Sequence, residues 1–283
     1  MALLIIAVLA ALLVAWLLSA NRRARYRRDR LRRRPFPAAW RRIVRRRVPA
    51  FRRLPGELQE QLKGHIQVFL AEKDFIGCDG VEVTDEMRVT IAALACLLIL
   101  NRDTDYYPNL RQVLVYPGAF VVDMEGSDEA GVVMNERHVL SGESWSQSQV
   151  ILSWQDVVEG AAVPDDGFNV VIHEFAHQLD QEAGYANGAP ELPSRGHYAR
   201  WSRILGEEYE RLQARTQAGE QSLLDDYGAT DPAEFFAVLA EVFFEQPLLL
   251  QAENPALYAE LSRFFRVSPA AWQPQQSGAG AAP

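Results

Sequence analysis

The chain has 283 residues, 48% of them hydrophobic and 23% charged, enough large apolar side chains to bury a core and to exclude a disordered chain. No glycine period, sustained heptad or longer repeat is present, which excludes collagen, coiled-coil and solenoid architectures. The two cysteines, Cys78 and Cys96, form no Cys-x-x-Cys pair, so a disulfide scaffold or a cysteine-ligated zinc knuckle is not expected and a reducing compartment is.

The net charge of −8 is unevenly spread: residues 22–53 hold 16 arginines and one acid, Asp29, and the rest holds 13 basic and 36 acidic side chains, a balance of −23. An acidic body of that kind does not attract nucleic acid, and direct nucleic-acid binding is not expected.

Residues 2–20 read ALLIIAVLAALLVAWLLSA, uncharged and free of Pro and Gly, the length of one transmembrane helix. Nothing basic precedes the run and arginines follow it, so an uncleaved anchor is expected rather than a signal peptide. The positive-inside rule then gives a single-pass protein of the inner (cytoplasmic) membrane with everything after Asn21 in the cytoplasm. Residues 21–53 read as an arginine-rich juxtamembrane linker drawn to anionic lipid.

The body, residues 54–270, opens with two helices, at 55–73 and 85–101, on the period of Leu58, Leu62, Ile66, Phe69 and Leu70 and on an Ala/Leu/Ile-rich run. Between 112 and 154 the runs VLVYP, AFVVDM, GVVMN, RHVL and QVILSW predict an antiparallel or mixed sheet. Helices are expected again at 167–182, 196–217, 231–246 and 254–265, and a disordered tail over 271–283. Helices, then strands, then helices, with no βαβ alternation, point to an α+β domain.

The segment NVVIHEFAHQLDQ carries His173, Glu174 and His177 as His-Glu-x-x-His. Histidines at i and i+4 share a helix face and converge on one metal ion, and a glutamate beside the first reaches the water such an ion holds. A catalytic zinc needs a third ligand, and no metzincin-type extension follows. The candidates lie in YGATDPAEFFAVLAEVFFEQP, where Asp231 reads as an N-cap with Pro232 behind it, and Glu234 and Glu241 share a face of an otherwise apolar helix. Glu234 also suits a capping box with Asp231. One of the two should bind metal and the other support a histidine. Asp180 is either an outer acceptor for a histidine or a solvated residue. His65, His138 and His197 lack ligand spacing.

VIHEFAHQLD and YGATDPAEFFAVLAEVFFE, with TDEMRVTIAALACLLILN, VLVYPGAFVV and SGESWSQSQVILSW upstream, resemble the Mlc titration factor A family of bacterial zinc peptidases over residues 54–270. The resemblance implies a zincin-like domain, here behind the anchor, with Zn²⁺ on His173, His177 and Glu234 and Glu174 as general base. The same segment resembles the catalytic domain of anthrax lethal factor, which implies a catalytic role for Tyr227, seven residues before Glu234. Soluble family members bind the repressor Mlc and show aminopeptidase-type activity, so the resemblance implies a peptide or protein substrate and a transcriptional repressor as a partner. Residues 148–154 are the candidate edge strand for an extended substrate. The competing reading is a membrane-tethered module that sequesters a regulator, against which Glu174 speaks, since a binder needs no general base.

Overall fold

A computed structural model describes residues 1, 4, 19–118, 120–127, 133–140, 142–146, 148–163 and 165–273, with only the backbone path described for the segments between 120 and 146. The arginine-rich stretch forms helices α1 (Ala20–Arg32), α2 (Ala38–Arg47) and α3 (Ala50–Arg53), followed by α4 (Gly56–Glu72). Strand β1 (Asp74–Gly77), helix α5 (Asp85–Leu97) and strand β2 (Gln112–Tyr116) come next, then β3 (Phe120–Ser127), β4 (Val133–Leu140), β5 (Gly142–Ser146) and β6 (Gln149–Ser153). The remainder is helical: α6 (Trp154–Ala162), α7 (Val170–Asp180), α8 (Arg195–Ala218), α9 (Pro232–Glu245), α10 (Pro247–Glu253) and α11 (Pro255–Phe265).

Four strands form one sheet in the order β1-β2-β6-β5, and β3 and β4 form a separate antiparallel hairpin. β1 pairs parallel to β2 with Asp74 opposite Gln112, β2 pairs parallel to β6 with Gln112 opposite Gln149, and β5 runs antiparallel to β6. The expectation of no βαβ alternation is thereby corrected: β1, α5 and β2 make a parallel crossover. The four-residue β1 is too short for a periodicity signal. β6 lies between β2 and β5, so the candidate substrate edge at 148–154 is interior, and the edges are β1 and β5.

The expected membrane anchor is corrected too. Among the described residues no helix is long and apolar enough to cross a membrane, so a transmembrane helix ahead of the domain, and with it single-pass placement in the inner membrane, is not sustained. The expected span itself falls almost entirely on residues 2–3 and 5–18, which lie outside the described residues.

Residues 21–53, expected as a linker, are folded onto the body. Phe36, Val44, Val48, Phe51 and Leu54 enter the same buried cluster as the helices behind them. Arg28 staples α1 down, with Nε 3.0 Å from Glu72 Oε1 and one terminal nitrogen 2.6 Å from Asp105 Oδ1. Gly64 permits the approach of α1 to α4, since a Cβ there would already sit 3.3 Å from the Arg32 side chain. α2 docks at the first turn of α5, where Trp40 Nε1 donates to Asp85 Oδ2 at 3.1 Å and Arg46 and Arg47 both reach Glu86. The chain stays ordered past α11 through a 3₁₀ turn at Pro269–Trp272 to Gln273, whose side chain accepts from Arg53. The rest of the expected tail, 274–283, lies outside the described residues.

α5 is buried from Val89 to Leu97, as its composition predicts, and Phe69 of α4, Tyr107 and Phe175 of α7 pack edge to face or tilted beside it, with ring centroids 4.9 to 6.3 Å apart. On the other side α9 packs against α7 and, through Phe236 and Phe243, against Trp201 and Phe265. The metal-motif helix is thus held between a buried helix, the sheet and α9.

Candidate metal centre

Asn169 begins α7 as its N-cap, its side-chain oxygen accepting from Ile172 N at 3.2 Å. Val171, Ile172, Phe175, Ala176 and Leu179 turn into the core, which fixes the rotation of the helix and presents His173 and His177 on the opposite face one turn apart. α9 begins under Asp231, whose Oδ1 accepts from Ala233 N at 2.8 Å and Glu234 N at 3.0 Å, with Pro232 in the first turn. Capping occupies the backbone N–H of Glu234, and its carboxylate goes across to α7.

There the side chains converge. Glu234 Oε2 lies 2.9 Å from His173 Nε2 and 3.4 Å from His177 Nε2, and the two imidazole nitrogens are 3.3 Å apart. Ligands held about 2.0–2.2 Å from a tetrahedral zinc stand ~3.3 Å from one another, so this triangle matches the edges of such a site. Two ring nitrogens that close repel unless a proton or a cation lies between them. Among the described residues, this trio is the one group of histidine, cysteine and carboxylate side chains close enough to hold a metal ion.

Burial opposes a charge on His173, yet hydrogen bonds to Glu234 and Glu241 carry its pKa well above the ordinary histidine value. Burial likewise works against ionised Glu234, but the two histidines hold it well below the usual carboxylate range. Glu241, seven residues on, receives His173 Nδ1 at 2.9 Å on one oxygen and the Asn169 backbone N–H at 2.7 Å on the other. It therefore fixes the ring tautomer that leaves Nε2 facing Glu234.

Glu174 lies beside His173 on α7 and is buried. Tyr227 lies in a 3₁₀ turn at Asp226–Ala229 and stays half exposed, its ring tilted over His173 with centroids 6.1 Å apart. Partial burial and the negative charge of Glu234, Glu174 and Asp231 push its phenol up to about 12, so the hydroxyl keeps its proton at neutral pH and remains a donor.

Asp180 is fully buried and works at one remove. Its Oδ2 accepts from Asn187 N at 2.8 Å and Gly188 N at 2.7 Å. Gly188, at φ 75°, is pressed against the start of α9 so closely that a Cβ would fall 2.2 Å from Pro232 O, and Trp201 Nε1 donates to its carbonyl at 2.8 Å. Asp180 thus props the loop against which the helix of Glu234 begins. His65 is buried against the hydroxyl of Tyr106 at 2.7 Å and His197 bonds Ser194, both away from the trio; the side chain of His138 lies outside the described residues.

Two residues at this centre are not singled out by the sequence: Asn169 and Glu245. Asn169 Nδ2 donates to Glu245 Oε1 at 2.9 Å, and both are buried. Spacing holds the missing signal, for Asn169 stands four before His173 and Glu245 four after Glu241.

Comparison with known proteins points to a metallopeptidase family. Residues 21–266 match the family described as glucose-regulated metallo-peptidase M90. An uncharacterized protein of Synechocystis sp. is 41% identical over 245 residues, covering 86% of this chain and 89% of that protein. Mlc titration factor A of Klebsiella pneumoniae is 37% identical over 227 residues, covering 79% and 84%, and that of Salmonella arizonae is 37% identical over 225 residues, covering 78% and 88%. The matched stretch includes the arginine helices α1–α3.

Proposed function

Because the chain belongs to the M90 family of metallopeptidases, we propose that it hydrolyses peptide bonds with zinc held by His173, His177 and Glu234. The convergence of these three ligand atoms at tetrahedral spacing carries the reading. Zinc, when bound, supplies a Lewis acid that acidifies water and polarises the scissile carbonyl.

This chain's residues do the rest. Glu174 takes the proton from the attacking water on its carboxylate and delivers it to the leaving amine. Tyr227 donates its hydroxyl proton in a hydrogen bond to the charge that develops on the substrate oxygen. Glu241 holds His173 by Nδ1 and so aims Nε2. Aminopeptidase action is part of the proposal, as the resemblance to the Mlc titration factor A family implies. A regulatory protein partner is part of the proposal as well, in view of the relatives that bear the name Mlc titration factor A.

The test is metal analysis of the purified chain with a chelator-reversible assay on aminoacyl substrates carrying free or acetylated amino groups. Glu174→Gln should keep metal near the wild-type content and lose hydrolysis by roughly 10²- to 10⁴-fold. Full activity in Glu174→Gln would sink the mechanism, and equal rates on the acetylated substrate would remove the aminopeptidase assignment. Mixing a candidate repressor with Glu174→Gln then reads binding without cleavage.

A further inference from the structure

α7 and α9 meet along two matching polar stripes. Asn169, His173 and His177 follow one another at four-residue steps on α7, and Glu245, Glu241 and Glu234 descend α9 at steps of four and seven. The pairing runs in opposite chain directions: Asn169 meets Glu245 and Glu241, His173 meets Glu241 and Glu234, and His177 meets Glu234. A helix on an apolar bed can slide or rotate by fractions of an ångström at little cost, whereas hydrogen bonds are directional and fix register.

We propose that the Asn169–Glu245 pair is a clamp that sets the register of α9 on α7 and thereby positions His173, through Glu241, for metal binding. Glu245 acts through other residues and is a positioning residue; the inference rests on the ligand set proposed above. Asn169 is held twice, by its backbone N–H on Glu241 at 2.7 Å and by its amide on Glu245 at 2.9 Å, while its own oxygen caps the helix. If the amide loses Glu245, the N-cap rotates and the Asn169 N–H that anchors Glu241 moves with it. Glu241 then no longer faces His173 Nδ1 squarely.

The surroundings suit a static clamp. Burial, with Asp166, Glu241 and Asp165 near, pushes the Glu245 carboxyl up to about 8 against the stabilising bond from Asn169, so at neutral pH it is a neutral acid with an oxygen free to accept. The pair also lines an enclosed cleft closed by Val48, Arg53 and Trp272, so the arginine helices and the C-terminal turn buttress it from outside.

The full chain is used for the test, with Zn²⁺ affinity read by chelator competition and ligand geometry by the visible spectrum of the Co²⁺-substituted protein. Asn169→Ser keeps an oxygen to cap α7 and removes the amide; Glu245→Met keeps the length and removes the acceptor. Each should weaken Zn²⁺ binding by roughly 10- to 100-fold, the usual effect of losing an outer partner of a ligand, and should alter the Co²⁺ spectrum. The double variant should be no weaker than the weaker single variant, because one bond is broken only once, and Glu245→Gln should restore affinity over Glu245→Met. Wild-type Zn²⁺ affinity and Co²⁺ spectrum in Asn169→Ser, or losses that multiply in the double variant, overturn the clamp. If Glu245→Met does not fold, Asn169→Ser alone decides. His177→Ala separates the premise: it should abolish tight Zn²⁺ binding, and if it does not, the ligand assignment falls and the clamp with it.

Discussion

The arginine helices α1–α3 and the helix pair α7/α9 both crowd charge into short stretches, and they dispose of it in opposite ways. In α1–α3 the charge points outward, and a minority of arginines turn in to meet acids at the rim of the body, Arg28 reaching Glu72 and Asp105 and Arg46 and Arg47 sharing Glu86. In α7/α9 the ionisable groups point inward: His173, His177, Glu234 and Glu241 are buried or nearly so and bonded to one another, and Glu245 bonds Asn169 beside them. Exposed ion pairs contribute little to stability, so the attachment of α2 and α3 rests on Phe36, Val44, Val48 and Phe51, while α1, which buries no residue fully, is held by the largely buried Arg28–Glu72 pair and by Leu31 packed on the core. Buried ionic groups are costly unless fully partnered, and the three ligand atoms of His173, His177 and Glu234 that face one point could hold a metal ion.

Substitutions can break this contrast from either side. The largest effect should come from Glu234→Ala, which removes one of the three proposed ligands and should abolish bound metal and hydrolysis together, whereas Glu241→Ala should retain metal with affinity lowered roughly 10- to 100-fold. Chelator titration distinguishes them, and the reverse order would exchange their roles. On the other side, Phe51→Ala should cost about 3–5 kcal/mol of folding stability in denaturant unfolding while leaving metal affinity intact. An unchanged unfolding midpoint would mean that the arginine segment is a linker after all.

Tyr227→Phe removes one hydroxyl from the rim of the metal centre. It should lower kcat by at most roughly 10²- to 10³-fold, with a smaller change in KM and no loss of metal, since its donor matters where charge develops. A variant with wild-type kcat would make Tyr227 a packing residue.

The smallest effect concerns Glu182, beyond the C-terminal end of α7. Burial pushes its carboxyl up to about 7, against the pull of Arg102, with Glu191 and Asp105 adding to the rise and Lys73 offsetting it. A carboxyl with a raised folded pKa contributes stability that is complete below the unfolded value of about 4.5 and declines as pH rises through about 7. Glu182→Gln should flatten that part of the curve of melting temperature against pH; an unaltered slope between pH 4.5 and 7 would show that another group governs it.

The metal helix is legible because its chemistry is local. His173, Glu174 and His177 lie within five residues, the four-residue step alone puts the two histidines on one face, and the apolar residues between them tell which face is buried. Glu234 and Glu241 were legible as a pair, but spacing left open which of them meets the metal. The arginine stretch was misread because composition reports what a surface carries, and Val44 or Phe51 shows its partner only when α5 and α4 are in place. β1 and the interior position of β6 were hidden for a related reason, since strand order is a matter of pairing between segments far apart in the chain.

The sequence by itself therefore determined the helix that carries the histidines, the cap at Asp231 that starts the helix of Glu234, and the class of chemistry that two histidines and a neighbouring glutamate permit. Tertiary structure alone decided that Glu234 Oε2 closes the triangle with both histidines, that Glu241 takes the far nitrogen of His173, and that Asn169 and Glu245 join the same stripe. Helical spacing is a property of one segment, readable at a period of about 3.6 residues. The depth at which α9 slides along α7 is set by apolar packing and directional hydrogen bonds from both helices at once, and no single segment encodes it.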